Sequence, residues 1–172
     1  MRQPVTATDI RRDLVGLLPK LRRFAMTLTS DVASADELVQ SVCQKAITKI
    51  HLWNGEGRLE SWIYTMARHQ WMDEMRRHRL RAGSGKHNAL ENHQPMVAMA
   101  HDTSSNATEV HAIIASMPEG LASVLLLVDV EGHSYKQASE IMGISVETVN
   151  AQLCAARLQC MARAEDSAGR RF

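Results

Sequence analysis

Ser134 to Leu158 read S-Y-K-Q-A-S-E-I-M-G-I-S-V-E-T-V-N-A-Q-L-C-A-A-R-L, and this stretch decides the fold of the C-terminal half. Ser134 and Gln137 have the spacing of a capping box and predict the start of a short helix. Gly143 predicts its end, because glycine tolerates the left-handed backbone that closes a helix. Ser145 predicts the cap of a second helix. Two short helices around one glycine are typical of a helix-turn-helix, which places side chains in the major groove of DNA.

The second of these helices is predicted to have one apolar and one polar face. Its apolar residues recur at intervals that indicate burial on one side: Val149, Leu153, Ala156 and Cys160. The other side carries the side chains that this motif presents to DNA: Ser145, Glu147, Thr148, Asn150, Gln152 and Arg157. Asn150 and Gln152 suit adenine, because a side-chain amide can pair with its N6 and N7. The alternative is a helical hairpin whose polar residues only face water.

A third helix is predicted upstream of this pair. Ser116 and Glu119 have capping-box spacing around Pro118, and Gly132 predicts the end of the helix. The residues between them show helical apolar periodicity: Leu121, Val124, Leu125 and Val128. Three helices with one shared apolar interior, from about residue 111 to about residue 161, are sufficient for a small DNA-binding domain.

The charge distribution divides the 172 residues into two halves. Lys and Arg number 15 against 9 Asp and Glu over residues 1–90, 0 against 3 over residues 91–110, and 5 against 7 from residue 111 onward. A basic first half attracts polyanions, so it is expected to contribute at least as much to phosphate contact as the helix-turn-helix. Residues 82–110 are rich in Gly, Ser, Asn and His without a sustained period, which predicts a tether.

Several classes of protein are disfavoured by the composition. The 3 cysteines lack disulfide or zinc spacing, and the 8 histidines are scattered, so no metal site or cofactor is predicted. No apolar run reaches the ~18 residues of a membrane span, and no secretory signal is visible, which predicts a cytoplasmic protein without membrane insertion. No catalytic constellation and no site for a small-molecule substrate is visible. Helical periodicity throughout predicts an all-α fold.

Two helices are predicted for the first 50 residues. Apolar residues from Ile10 to Leu28 repeat at helical spacing, and Pro19 predicts a kink or a break among them. Ser34 and Glu37 predict a capping box at the start of the second helix. The outer side of that helix either faces solvent or docks on a protein partner, and its polar residues are Glu37, Gln40, Ser41, Gln44 and Lys45.

A long helix is predicted from about residue 59 to about residue 79. One face carries residues spaced by three or four, which suits a track of DNA phosphates: Ser61, Thr65, Arg68, Met72, Arg76 and Arg79. Trp53, Trp62 and Trp71 lie in or beside this helix, and aromatic rings next to cations suit unpaired bases. Alternatively, Trp62 belongs to the core and Asp73 neutralises part of the charge.

In this order, the parts resemble the sigma factors of bacterial RNA polymerase, in particular the small extracytoplasmic-function group. Residues 35–40 resemble the A-x-D-L-V-Q start of a helix in region 2 of that family, with Glu37 in place of the usual Asp. Arg58 and residues 62–77 resemble its run W-L-x-x-I-A-R-x-x-x-x-D-x-x-R-R. Residues 117–149 resemble the L-P-E, L-L-L, G-x-S-Y and G-x-x-x-x-T-V signature of region 4.

The resemblance implies two small helical domains, residues 1–81 and 111–172, joined by a flexible linker at 82–110. It implies that the first domain docks on core RNA polymerase through Glu37, Leu38, Gln40, Ser41 and Gln44. It implies binding of the −10 promoter element through Arg58, Ser61, Thr65, Arg68, His69, Met72, Arg76, Arg77 and Arg79. It assigns the −35 element to the six polar residues of the helix-turn-helix named above, and it adds an anti-sigma factor as a partner.

The chain departs from the family at the recognition helix. After T-V the family usually carries K-S-R-x-x-R-A-R, whereas this chain has N-A-Q-L-C-A-A-R and keeps Arg157 alone of that basic set. His69 stands where the family often has Asn. We therefore expect weaker or differently specified contact with the −35 element. The alternatives are a sigma mimic with little promoter activity, a conventional helix-turn-helix repressor or activator, and an enzyme such as a histidine-dependent hydrolase.

Overall fold

The structure of the chain is a computed structural model that describes residues 7–53, 55, 57–83 and 116–169. Regular structure in these ranges is entirely helical, as predicted, and no strand occurs among them. The helices form two compact units, one before residue 84 and one from residue 116 onward. The predicted linker lies outside the described residues except for Ala82 and Gly83, which continue the last helix of the first unit.

The first unit is a bundle of three helices: α1, Ala7–Thr29; α2, Val32–Lys49; and α3, Leu59–Gly83. A turn of 3₁₀ helix, Ile50–Leu52, follows α2. Each of the three helices contributes fully buried side chains to one core: Leu21, Phe24, Val42, Ile63 and Tyr64. The ring centroids of Phe24 and Tyr64 lie 4.7 Å apart and join α1 to α3. This core holds the first half of α3 in place.

The expected break at Pro19 does not occur, because α1 runs through this residue without interruption. A proline inside a helix removes one backbone hydrogen bond and crowds the preceding turn. Pro19 is exposed, while Leu14 before it and Leu21 after it are buried in the same core. Burial of Leu14 and Leu21 offsets the free-energy cost of the proline inside the helix. The apolar periodicity of the sequence does not show whether this burial is sufficient.

The predicted capping box of Ser34 and Glu37 is wrong. The helix α2 begins at Val32, and Asp31 is its N-cap, with an extended backbone. One carboxylate oxygen of Asp31 accepts from both the backbone N–H and the hydroxyl of Ser34, at 2.8 Å each. Ser34 therefore lies inside the first turn of α2. A carboxylate three residues upstream competes with the serine for the capping position, and sequence spacing fits either choice.

The second unit also contains three α-helices: α4, Glu119–Leu125; α5, Tyr135–Met142; and α6, Val146–Gly169. A π-helical turn, Leu126–Val130, continues α4. The core of this unit is built from residues of all three helices and of the π-helical turn: Val124, Leu127, Ile141, Val149 and Leu153. The order α5, turn, α6 is the predicted helix-turn-helix, and α6 is its recognition helix.

Local capping signals were predicted correctly within the helix-turn-helix and wrongly before it. Ser134 and Gln137 form the complete capping box, and Gly143 adopts the left-handed conformation with φ of 62°. The hydroxyl of Ser145 accepts from the backbone N–H of Thr148 at 3.1 Å. By contrast, the N-cap of α4 is Pro118, so the capping box expected from Ser116 is wrong. The start predicted for the three-helix domain, near residue 111, lies outside the described residues.

Substitutions at Asp31 and at Glu37 can distinguish the observed N-cap of α2 from the predicted capping box. We expect Asp31→Ala to lower the free energy of unfolding of the first unit by about 1 kcal/mol, because Ser34 loses its acceptor. Glu37→Ala is the matched control and should change it by less than about 0.5 kcal/mol. Urea unfolding followed by tryptophan fluorescence measures the first unit, since Trp53, Trp62 and Trp71 all belong to it. Equal effects of the two variants would contradict this assignment.

Candidate nucleic-acid interface

The second half of α3 projects a basic surface from the first unit. Arg76, Arg77 and Arg79 are exposed, as are His69 and Met72, while Ser61, Thr65 and Arg68 are half-buried nearer the core. The predicted row of side chains is thus accessible along its length. Trp53, Trp62 and Trp71 are each half-buried, and the indole Nε1 atoms of Trp53 and Trp71 are buried.

The arginines of α3 differ in how far they are neutralised. Arg76 lies 3.7 Å from the carboxylate of Asp73, and both side chains are well exposed, so this pair is loose. Arg77 and Arg79 form no ion pair within the described part of the chain. Among the exposed arginines predicted to meet the −10 element, these two guanidinium groups are less neutralised than that of Arg76.

Arg58 is engaged by a carboxylate that sequence reasoning missed. Glu60 is buried at the start of α3, contacts the guanidinium of Arg58 and accepts from Nζ of Lys20 at 2.7 Å. A buried carboxylate requires such partners, because an unpaired charge away from water is costly. Lys20 is 40 residues away in sequence, and its contact joins α1 to α3. The charge of Arg58 is therefore shared with Glu60.

The outer face of α2 holds part of the set predicted to bind polymerase. Glu37, Gln40 and Gln44 are exposed, as that role requires. Leu38 is only 5% exposed and packs in the core of the first unit, so its inclusion in the set was wrong. Ser41 is half-buried and accepts a hydrogen bond from Nε2 of Gln70 on α3. This bond connects the outer face of α2 with the basic helix.

The first turns of α6 present three of the predicted side chains. Glu147, Thr148 and Asn150 are exposed, and the hydroxyl of Thr148 lies 3.0 Å from that of Ser145. Hydrogen bonds from its own backbone N–H and from Ser145 hold the pKa of Glu147 below its usual range. A helix N-terminus favours such a negative charge. Asn150 is the residue of this group that is suited to base contact.

Gln152 does not lie on the exposed face, contrary to the prediction. Its side chain packs against Gly120 of α4, where a β-carbon would lie 2.9 Å from Nε2 of Gln152. Its Oε1 atom is buried without a hydrogen-bond partner among the described residues. This glutamine therefore belongs to the contact between α4 and α6, which was not visible in the sequence because Gly120 is 32 residues away.

Arg157, the other cation expected at the DNA surface, is bound to Asp129 of the π-helical turn. Its Nε and Nη2 atoms donate to the two carboxylate oxygens at 2.9 and 2.6 Å. These hydrogen bonds raise the pKa of Arg157 and lower that of Asp129. The recognition helix thus shows DNA no unpaired guanidinium at this position.

Three further residues of α6 are exposed on the side opposite the core and were missed: Ala151, Cys154 and Leu158. Their spacing of three and four places them on one face, away from Val149 and Leu153. Helical periodicity also places these three residues on the exposed face, although none of them has a charged or amide side chain that would point to DNA contact. The exposed face of the recognition helix is consequently mostly uncharged.

The second unit is acidic as a whole. Over residues 111–172 the chain has 5 Lys and Arg against 7 Asp and Glu. A DNA-binding unit with this balance gains little affinity from phosphates, since that affinity comes from released counterions at cationic contacts. Within the described ranges, no three His, Cys, Asp or Glu side chains gather in a way that could hold a metal ion.

Comparison with known families now identifies the arrangement. Residues 15–81 match the family described as Sigma-70 region 2, and residues 107–160 match Sigma-70, region 4. The first match covers the three helices of the first unit, and the second covers the helix-turn-helix. The chain belongs to the extracytoplasmic-function sigma factors. It is an alternative sigma factor, a transcription initiation factor whose partners are core RNA polymerase and promoter DNA.

Two known sigma factors are similar to this chain over most of their length. It is 26% identical over 151 residues to the ECF RNA polymerase sigma factor EcfG of Rhodopseudomonas palustris, covering 87% of this chain and 81% of that protein. It resembles the Bartonella quintana sigma factor RpoE, solved in complex with the anti-sigma factor NepR, with a TM-score of 0.70 and 25% identity over 88% of this chain and 94% of that one.

A third similarity concerns the fold alone. The chain resembles a solved structure of the anti-anti-sigma factor PhyR complexed with NepR from Bartonella quintana, with a TM-score of 0.53 and 19% identity. That match covers 87% of this chain and 48% of the other. No helix in the described ranges has the length and apolar character needed to cross a membrane.

The different environments of Asn150 and Gln152 generate a prediction about the −35 element. Asn150→Ala should reduce discrimination between a correct and a scrambled −35 element about tenfold, the value of one bidentate base contact. Gln152→Ala is the matched control and should leave discrimination unchanged, because its amide faces α4. Competition binding of the holoenzyme to both DNA fragments measures the ratio. Loss of discrimination in Gln152→Ala alone would reverse the assignment.

Proposed function

We propose that this sigma factor divides promoter recognition unequally between its two units. Residues 1–81 bind core polymerase and the −10 element, residues 82–110 act as the tether, and residues 111–172 bind the −35 element. The observation that carries this proposal is the contrast in charge: exposed arginines line α3, whereas the helix-turn-helix unit has more acidic than basic residues. Tethering makes the second DNA contact intramolecular, so a weak −35 contact still contributes to affinity.

The surface for the −10 element is the outer face of α3. Arg77 and Arg79 carry unneutralised charge, Arg76 is held loosely by Asp73, and Met72 and His69 are exposed between them and the core. Partly exposed indoles beside cations suit unpaired bases of an opened strand. Ser61, Thr65 and Arg68 form the part of this surface nearest the core. Arg58 contributes to this surface from its position just before α3, where its guanidinium contacts the carboxylate of Glu60.

The surface for core polymerase is the exposed part of α2, formed by Glu37, Gln40 and Gln44. Its two hydrogen-bonded neighbours, Ser41 and Gln70, connect it to α3. Docking on polymerase through α2 therefore also orients the helix that meets the −10 element. The surface for the −35 element consists of Ser145, Glu147, Thr148 and Asn150 in the first turns of α6, with Ala151 and Cys154 beside them.

We further propose that the protein acts in the cytoplasm, where its polymerase is, and that it catalyses no bond chemistry itself. An anti-sigma factor is proposed as its regulator, because the similar RpoE was solved in complex with the anti-sigma factor NepR. Opening of the promoter is then driven by capture of single-stranded bases along α3 together with the polymerase.

The basic surface of α3 can be tested by removing Arg77 and Arg79, two exposed arginines that form no ion pair within the described ranges. Arg77→Ala with Arg79→Ala should weaken promoter binding by the holoenzyme and reduce the slope of log affinity against log salt by up to about 1.8, since each duplex phosphate contact contributes about 0.9. Arg11→Ala with Arg12→Ala is the control, because it removes the same charge from exposed positions on α1. A slope that changes equally in both double variants would exclude a phosphate track on α3.

A second candidate function is a sigma mimic that binds an anti-sigma factor without initiating transcription. The acidic second unit favours it. Run-off transcription with core polymerase and fragments of genomic promoters separates the two functions. We expect specific transcripts that depend on this chain. Tight binding to polymerase without any specific transcript would favour the mimic.

A further inference from the structure

We propose that Asp129 and Arg157 form a brace that orients the recognition helix, so that Arg157 serves −35 recognition as a positioning residue and not as a phosphate contact. The inference rests on the proposed role of α6 at the −35 element. It concerns two residues whose side chains meet although they are 28 positions apart in the sequence. Asp129 was not among the residues that the sequence pointed to.

The geometry of the pair is that of a rigid connection. Two atoms of the guanidinium donate to two oxygens of one carboxylate, at 2.9 and 2.6 Å. Such a fork fixes the direction of both side chains as well as their distance. The exposed fractions of the Arg157 and Asp129 side chains are 48% and 32%, so the pair lies at the rim of the core and not inside it.

Packing explains why this end of α6 needs a brace. Val149 and Leu153 bury large side chains near the start of the helix. Ala156 is the last fully buried residue among those of α6 whose burial is described, and the helix continues to Gly169. A methyl group resists rotation of a helix about its axis only weakly. The next residue, Arg157, is tied to the π-helical turn and supplies the missing constraint.

The π-helical turn is what brings Asp129 to this position. A π-helical turn contains more residues than an α-helical turn, so it changes the direction in which the following side chains point. Leu126 and Leu127 remain in the core, while Asp129 reaches the surface beside α6. The brace therefore connects the π-helical turn with α6.

The charge of the pair argues against a direct phosphate contact. A phosphate would have to displace a carboxylate already bound through two hydrogen bonds, and the displaced Asp129 would remain close to the DNA. Arg157 lies seven residues, or about two turns, after Asn150 and therefore on the same side of α6. Any rotation that the brace prevents would shift Asn150 relative to the base edges.

The test uses four full-length variants in the holoenzyme: Asp129→Asn, Arg157→Gln, Arg157→Lys and the double variant Asp129→Asn with Arg157→Gln. Two quantities are measured on a promoter fragment found by run-off transcription and on the same fragment with a scrambled −35 element. These are the ratio of the two affinities and the salt dependence of binding. Circular dichroism melting establishes that each variant is folded at the assay temperature. If another variant is unfolded, the milder substitution Arg157→Lys still tests the brace.

A brace predicts that both single neutral variants reduce discrimination by a similar factor, about three- to tenfold, and that the double variant is no worse than either. Arg157→Lys should behave like Arg157→Gln, because lysine cannot form the two-pronged contact. The salt slope should stay at the parental value in all four.

The opposite pattern would overturn the brace. A phosphate contact predicts that Arg157→Lys keeps parental binding, that Arg157→Gln lowers the salt slope by about 0.9, and that Asp129→Asn tightens binding by freeing the arginine. Parental discrimination in every variant would equally refute a positioning role. A parental holoenzyme that ignores the −35 element would instead refute the proposed role of the second unit, and the brace with it.

Discussion

In the described ranges, each unit of this sigma factor has three α-helices around a single core, and this arrangement leaves one face of each of these helices exposed. A helix in such a bundle buries one stripe of apolar side chains and cannot bury the opposite one. The polar faces of α2, α3 and α6 are therefore available for partners without any special pocket. What distinguishes the faces is their charge, and charge in turn depends on which carboxylates lie within reach of which arginines.

Three carboxylates sort the arginines of the interface into different roles. Glu60 engages Arg58 at the start of α3, and Asp129 takes up Arg157 through two hydrogen bonds. Asp73, by contrast, holds Arg76 loosely at 3.7 Å, and both side chains are more than half exposed. The first two pairs are structural connections, whereas the basic end of α3 remains free to attract phosphates. A count of arginines would have treated all of them alike.

The two units differ in charge, and the proposed mechanism depends on this difference. A basic α3 next to the polymerase-docking helix can hold DNA through its backbone, and phosphate attraction of this kind is independent of sequence. The recognition helix, with a mostly uncharged face, adds little affinity but can add discrimination through Asn150. In the proposed mechanism, affinity and specificity therefore reside mainly in different units, and the proposed tether combines them on one promoter.

The sequence was sufficient for every feature that depends on neighbours along the chain. Helical periodicity, the capping box at Ser134 and the left-handed Gly143 are set within three or four residues, so the all-α fold and the helix-turn-helix followed from them. The outcome was harder to predict where two nearby residues could both cap a helix, as the capping of α2 by Asp31 and not by Ser34 shows. The tertiary structure alone decided the roles of Leu38, Gln152 and Arg157. Their partners come from other helices, and only folding brings such groups within the few ångströms over which packing and hydrogen bonds act.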